Sequence, residues 1–146
     1  MLIDRFAEAG VRMGAGCPAS MLDAFEARTG RVLTADLRAF LGAANGVEWD
    51  DGFCFWPVEA FAPFDPVAER YAPGCPRPSD AGSYFVFCDY LHWSWGYAIR
   101  MDRPEDVEGG NEVVPIGMNE MFAVAGSFAE FVELYLAGSD RLYPPG

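Results

Sequence analysis

Cys88 and His92 are the one cysteine–histidine pair close in the chain, and thiolate chemistry is what such a pair could do. A nucleophilic thiolate needs a base beside it and a third group to orient that base. Position 88 falls inside the apolar run Tyr84-Phe85-Val86-Phe87-Cys88-Asp89-Tyr90, where thiols are inert. His92 falls in the aromatic connection Leu91-His92-Trp93-Ser94-Trp95. The expectation is a buried thiol and an unrelated imidazole, and no enzyme. The other cysteines stand at 17, 54 and 75, there is no CxxC, and His92 is the sole histidine. That excludes the usual zinc spacings, so no metal and no cofactor are expected. Two acid clusters, Glu48/Asp50/Asp51 and Glu105/Asp106/Glu108, lack the alternating oxygen-ligand pattern of a calcium loop. Gly10, Gly14 and Gly16 follow no strand and no lysine stands near them, so they do not form a phosphate cradle.

Tryptophan is the remaining chemistry-bearing type. Trp49 stands beside Asp50-Asp51, and Trp93 and Trp95 stand in a turn. Two readings are open for them: core packing, or anchors on an exposed binding surface. Charge gives the second reading a location. The 146 residues carry a net −12, and every cation is an arginine. Residues 1–46 hold five acids and five arginines, whereas residues 47–120 hold fourteen acids and four arginines. Long-range attraction therefore belongs to the middle of the chain. The candidate partner-binding residues are Trp49, Asp50, Asp51, Asp65, His92, Trp93 and Glu105. Such a balance lacks the basic footprint of a nucleic-acid binder and the polybasic patch of a membrane-surface protein. No apolar run approaches the length of a membrane span, and Asp4 and Glu8 interrupt any signal-peptide core. A cytoplasmic location is expected.

These residues need elements to hold them. A short helix is predicted around Leu2, Ile3 and Phe6. A second follows Pro18, with Ser20-x-x-Asp23 as capping box and Met21, Leu22 and Phe25 on its buried face. Gly30 ends it. Thr34 caps a third helix with an apolar face of Leu37, Phe40, Leu41 and Ala44, and Asn45-Gly46 supplies left-handed residues to stop it. Strands are predicted at 52–56, 84–90, 96–101, 112–116 and 121–124, and the proline-rich 62–82 reads as a long irregular loop. Run 84–90 is apolar on both faces, as for a strand covered on both sides. Ser127-x-x-Glu130 opens a last helix whose Phe128, Phe131, Val132 and Tyr135 recur at i, i+3, i+4 and i+7, and Gly138 stops it. The order is that of an α+β fold in a single domain spanning 1–146.

Several pieces together resemble the SUKH superfamily, the Smi/Knr-like proteins. They are Leu33-Thr34-Ala35-Asp36, Phe40-Leu41, Asn45-Gly46, Phe87-Cys88-Asp89-Tyr90, Trp93-Ser94-Trp95-Gly96-Tyr97-Ala98-Ile99 and Ala125-Gly126-Ser127-Phe128-Ala129-Glu130-Phe131-Val132. Thr34 replaces the usual proline before the third helix, and Gly126 replaces an acid before the last. The resemblance implies a curved antiparallel sheet packed against N-terminal helices and one C-terminal helix, with no shared catalytic residues. It implies a protein-binding role, most often that of a bacterial immunity protein neutralising a cognate toxin. The alternative is a general interaction or regulatory module on the same fold. An acidic inhibitor suits the basic cleft of a nucleic-acid-targeting toxin.

Overall fold

Strand residues 84–88 are all buried, which demands cover on both faces of whatever sheet contains them. The computed structural model supplies it; the residues described are 12–13, 15–48, 52–103 and 111–143. Among them, seven strands form one antiparallel sheet: β1 Arg12–Met13, β2 Val47–Glu48, β3 Phe53–Phe55, β4 Ala62–Pro63, β5 Tyr84–Tyr90, β6 Trp95–Arg100 and β7 Val113–Ile116. Their order is β1-β2-β3-β5-β6-β7, and β4 pairs the stretch of β5 that β3 leaves open. Four α-helices accompany them: α1 Ala19–Thr29, α2 Ala35–Ala43, α3 Phe64–Tyr71 and α4 Phe128–Leu136. The fold is α+β, as expected.

Alternation sorts the side chains. Phe53, Phe55, Phe85, Phe87, Tyr97 and Ile99 face a main core built with Leu22, Phe25, Leu37, Leu41, Phe128 and Phe131 from α1, α2 and α4. Tyr84, Val86, Ala98, Val114 and Ile116 face the opposite side, where α3 covers them with Phe64, Val67 and Ala68. A bulge between Val86 and Cys88 breaks the alternation of β5. Phe87 and Cys88 both turn to the main core, so Asp89 emerges on the α3 side. Edge strand β7 is protected: Val113 exchanges hydrogen bonds with Val124 and Ala125, and the next outward position, Pro115, has no N–H to offer.

Caps explain where the helices begin and end. Thr34 Oγ1 accepts from Leu37 N, and Ser127 Oγ accepts from Glu130 N at 3.0 Å while Glu130 reaches back to Gly126 N. Gly30 ends α1 in the left-handed region at φ 69°, and Gly138 follows α4 at φ 67°. Asp36 joins two helices: its carboxylate accepts from Leu37 N at 2.8 Å and from Ala129 N, at the start of α4, at 2.9 Å.

Several expectations are corrected. Residues 62–82 are not an irregular loop but contain β4, α3 and a 3₁₀ turn at Ala81–Ser83. Pro63 precedes α3 and Pro66 lies in its first turn, where backbone N–H groups have no intrahelical acceptor and proline costs little. Segment 121–124 forms no strand; Val124 N donates to Val113 O, and the isolated bridge to Val113 is made by the next residue, Ala125. Helix α1 starts one residue before Ser20, with Pro18 at its cap and no side-chain cap bond, and Met21 is exposed while Leu22 and Phe25 are buried. Helix α2 stops at an extended Ala44, and only Gly46 of the Asn-Gly pair has positive φ. Asn45 acts through its side chain, accepting from Val58 N at 2.8 Å and donating to Glu59. The helix expected around Leu2–Phe6 lies outside the described residues.

Candidate protein-interaction surface

Strands β5 and β6 are joined by Leu91-His92-Trp93-Ser94, and three of these residues are left-handed, with φ of 47°, 49° and 70°. Ser94 N bonds back to Tyr90 O at 3.0 Å, closing one left-handed turn. The conformation costs about 1–2 kcal/mol per L-residue, so packing must hold it. Leu91 lies against Gly52, close enough that a Cβ there would sit 2.5 Å from Leu91 Cδ2. Trp93 folds over Gly96 on the α3 side of the sheet, where a Cβ would sit 3.1 Å from its ring.

A ladder of rings then crosses four elements. Tyr71, the last residue of α3, stacks on Trp93 with centroids 4.2 Å apart and planes 4° from parallel. Trp56, just past β3, meets Trp93 edge-on at 5.2 Å. The Arg70 guanidinium lies 5.1 Å from the Tyr71 centroid. At the other end Trp56 Nε1–H donates to Asp89 at 2.6 Å, a contact made possible by the β5 bulge. Tyr71 is 42% exposed and Leu91 48% exposed, so the ladder ends in accessible apolar surface.

Two grooves flank the stack. One, of about 450 Å³, is walled by Trp56, Pro57, Val67, Arg70, Tyr71 and Trp93. The other, of about 580 Å³, is walled by Tyr71, Cys75, Trp93, Trp95, Ile116 and Met118.

Of the residues singled out from sequence, Trp93 is half-buried in this ladder and His92 is exposed beside it at the tip of the turn. Asp65 lies in the first turn of α3, six residues and so about 9 Å from Tyr71. It is held by Arg77 Nη1 at 2.7 Å, and the same guanidinium binds Glu69. One guanidinium thus serves both acids of α3 and offsets one of their two charges. Trp49, Asp50, Asp51 and Glu105 lie outside the described residues. Trp95 faces the other side, packing on Tyr90 and Tyr143 and donating to Tyr97 Oη at 2.9 Å.

Sequence reasoning missed Tyr71, Trp56 and Arg70. A signal for Tyr71 exists: Phe64, Val67, Ala68 and Tyr71 recur at helical spacing, masked by the proline count of the segment. Nothing in the sequence pairs Trp56 with residue 93.

Cys88 and Cys54 offer little nucleophilic chemistry. Cys88 has no exposed surface and faces the main core, whereas His92 is at the outer tip. Burial, reinforced by Asp89 and Glu48, pushes the Cys54 thiol up to about 11. Among the described residues no group of three His, Cys, Asp or Glu side chains could hold a metal ion, and no helix is long and apolar enough to cross a membrane.

No curated protein matches the chain. The SMI1 / KNR4 family (SUKH-1) matches it over residues 16–134, from the loop before α1 to near the end of α4. Strands β2 to β7, helices α1 to α3, most of α4 and the aromatic ladder lie within that span, and the chain belongs to the SMI1 / KNR4 (SUKH-1) family.

Proposed function

We propose that this protein is a non-catalytic binding domain that occupies and neutralises a protein toxin in the cytoplasm, as an immunity protein. The observation that carries a binding role is the Tyr71–Trp93 stack, an accessible aromatic pair held ready by a strained turn. Strain of this kind persists where packing over-determines it, and it presents a surface at little entropic cost on association. Family membership supports the immunity reading, because the SUKH resemblance implies that role for many bacterial members. The net charge of −12 supports a basic partner such as a nucleic-acid-targeting toxin, with steering that raises the association rate at low salt.

In this reading Trp93 and His92 belong to the contact. Asp50, Asp51 and Glu105 are the candidate sources of negative charge for association, Trp49 is a further aromatic candidate, and Asp65 takes part as a carboxylate shared with Arg77. The test is a survival assay. The product of the neighbouring gene, expressed alone, should arrest growth, and co-expression of this protein should restore it. Growth that stays arrested, or a neighbour without toxicity, counts against the immunity role. With the purified pair, Asp50→Asn combined with Asp51→Asn should slow association and flatten its salt dependence, with folding unchanged. An unaltered salt slope removes those acids from the surface.

A further inference from the structure

Among the described residues, Arg70 is the one charged residue on the wall of the groove formed by Trp56, Pro57, Val67, Tyr71 and Trp93. Its guanidinium lies 5.1 Å from the Tyr71 centroid, and it has no hydrogen bond or ion pair among the described residues. Other arginines are engaged: Arg38, Arg77, Arg100 and Arg141 each meet a carboxylate. The acids at hand around Arg70 are committed elsewhere. Asp65 and Glu69, on the same helix, both bind Arg77, and Asp89 accepts from Trp56 on the groove wall. In a chain with 22 acids, the groove therefore presents a cation that the fold leaves without an acid.

The rest of the wall is apolar, so an apolar group is what fills it by excluding water. Filling it strips water from one side of the guanidinium, whose five N–H donors then need an acceptor. A purely apolar occupant leaves them poorer, and a lysine or arginine adds repulsion. A carboxylate beside the apolar group meets the planar fork in the geometry it is shaped for. The net charge of −12 and the charge at this contact act at different ranges: the first steers a basic partner, the second sets which of its residues dock here.

We infer that the Trp56–Tyr71–Trp93 groove receives an apolar side chain of a protein partner whose neighbouring Asp or Glu carboxylate is bound by Arg70. This inference rests on the reading of that face as the partner surface, and it names the chemistry of what docks there.

The probes are three blocked peptides, acetyl-Gly-Ser-Phe-Xaa-Ser-Gly-amide, with Glu, Gln or Lys at Xaa. Each is titrated into the full chain and followed by backbone and indole N–H resonances. Net charge alone orders them Lys, Gln, Glu, from tightest to weakest; the inference requires the reverse. The Glu peptide should bind about threefold tighter than the Gln peptide, as an exposed ion pair allows, and the Lys peptide should bind weakest. Arg70→Gln, at an exposed position of α3, should keep the fold and abolish the preference for Glu. Arg28→Gln makes the same charge change at another exposed arginine beside a ring, on α1, and should leave the preference intact. Equal or reversed affinities, no saturation, or a preference that survives Arg70→Gln overturns the inference. Tighter binding of free hydrocinnamate than of the Glu peptide also overturns it, by making a small acid the occupant. The peptides involve no toxin, so a failed survival assay with the Glu preference present removes the immunity role and leaves the inference standing. Should the preference be missing while Tyr71→Ala weakens binding of a purified toxin, the inference falls and the face itself remains the partner surface.

Discussion

Gly96 has no side chain, and Trp93 occupies the space a side chain would need. A Cβ at this position would lie 3.1 Å from Trp93 Cζ3 and 2.8 Å from the Cys88 carbonyl oxygen. The carbonyl belongs to the neighbouring strand and cannot step aside. Gly96→Ala should therefore displace the Trp93 ring and cost about 1–3 kcal/mol, as overpacking does. Urea unfolding reads the cost, and tryptophan fluorescence reads the displacement. An unchanged emission spectrum with unchanged stability would show that the ring does not rest there. Asp36 is a second residue with more than one role. It accepts from the starts of two helices, so its loss leaves two N–H groups with poorer partners. Asp36→Ala should destabilise by about 1–2 kcal/mol, and Asp36→Asn, which keeps one acceptor, by less. Equal losses in urea unfolding would show that only one of the two bonds matters.

At the scale of elements, α3 is the part that turns a two-layer fold into a site. Its Phe64 has 0% exposure, and its other end delivers Tyr71 to Trp93. Phe64→Ala should cost about 3–5 kcal/mol, like a core aromatic and unlike a loop residue. The same change at Phe131 of α4, also at 0%, should cost a similar amount. A loss below about 1 kcal/mol at Phe64 would mean that α3 is dispensable to the sheet. Phe64→Ala should also weaken partner binding, because the helix that aims Tyr71 would lose its anchor. Phe131→Ala acts on the opposite face and should spare binding under conditions where the protein remains folded.

For the whole molecule, charge and proton binding set the response to conditions. Burial pushes the Cys54 thiol from 9.0 to about 11, and burial raises the Tyr84 and Tyr97 phenols as well. Tyr84 is further held by its hydrogen bond to Glu112. Each group keeps its proton more tightly when folded than when unfolded. Their contribution is complete below the unfolded values and is lost as pH climbs through the folded ones. Stability should therefore fall from about pH 9 upward, with urea midpoints at about pH 8 and about pH 10.5 as the check. Cys54→Ala should flatten the first part of that fall; an identical slope would assign it to the phenols and to Cys17, whose thiol is likewise pushed up by burial.

Much of this protein follows from local chemistry and is legible along the chain. Thr34 and Ser127 cap helices because a short hydroxyl ahead of an apolar period satisfies the first free N–H groups. The five buried residues of β5 announced a strand covered twice, and the Phe128/Phe131/Val132 spacing announced the face of α4. The placement of Trp93 in an aromatic turn was also readable, as was a buried Cys88. Other features depend on residues far apart in sequence and could be decided only by folding. The bulge at Val86/Cys88 shifts the phase of one strand, and that shift alone brings Asp89 to Trp56. Helix α3 exists because the second face of the sheet needs apolar cover, a demand made by Val86, Ala98, Val114 and Ile116 that outweighs the prolines around it. Three left-handed residues in a row are unfavourable on any local scale, and they are tolerated because Gly52, Gly96 and Tyr71 pack around the turn. Periodicity and capping are properties of neighbours in sequence; the site is a meeting of β3, α3, β5 and the turn before β6, which only the tertiary structure brings together.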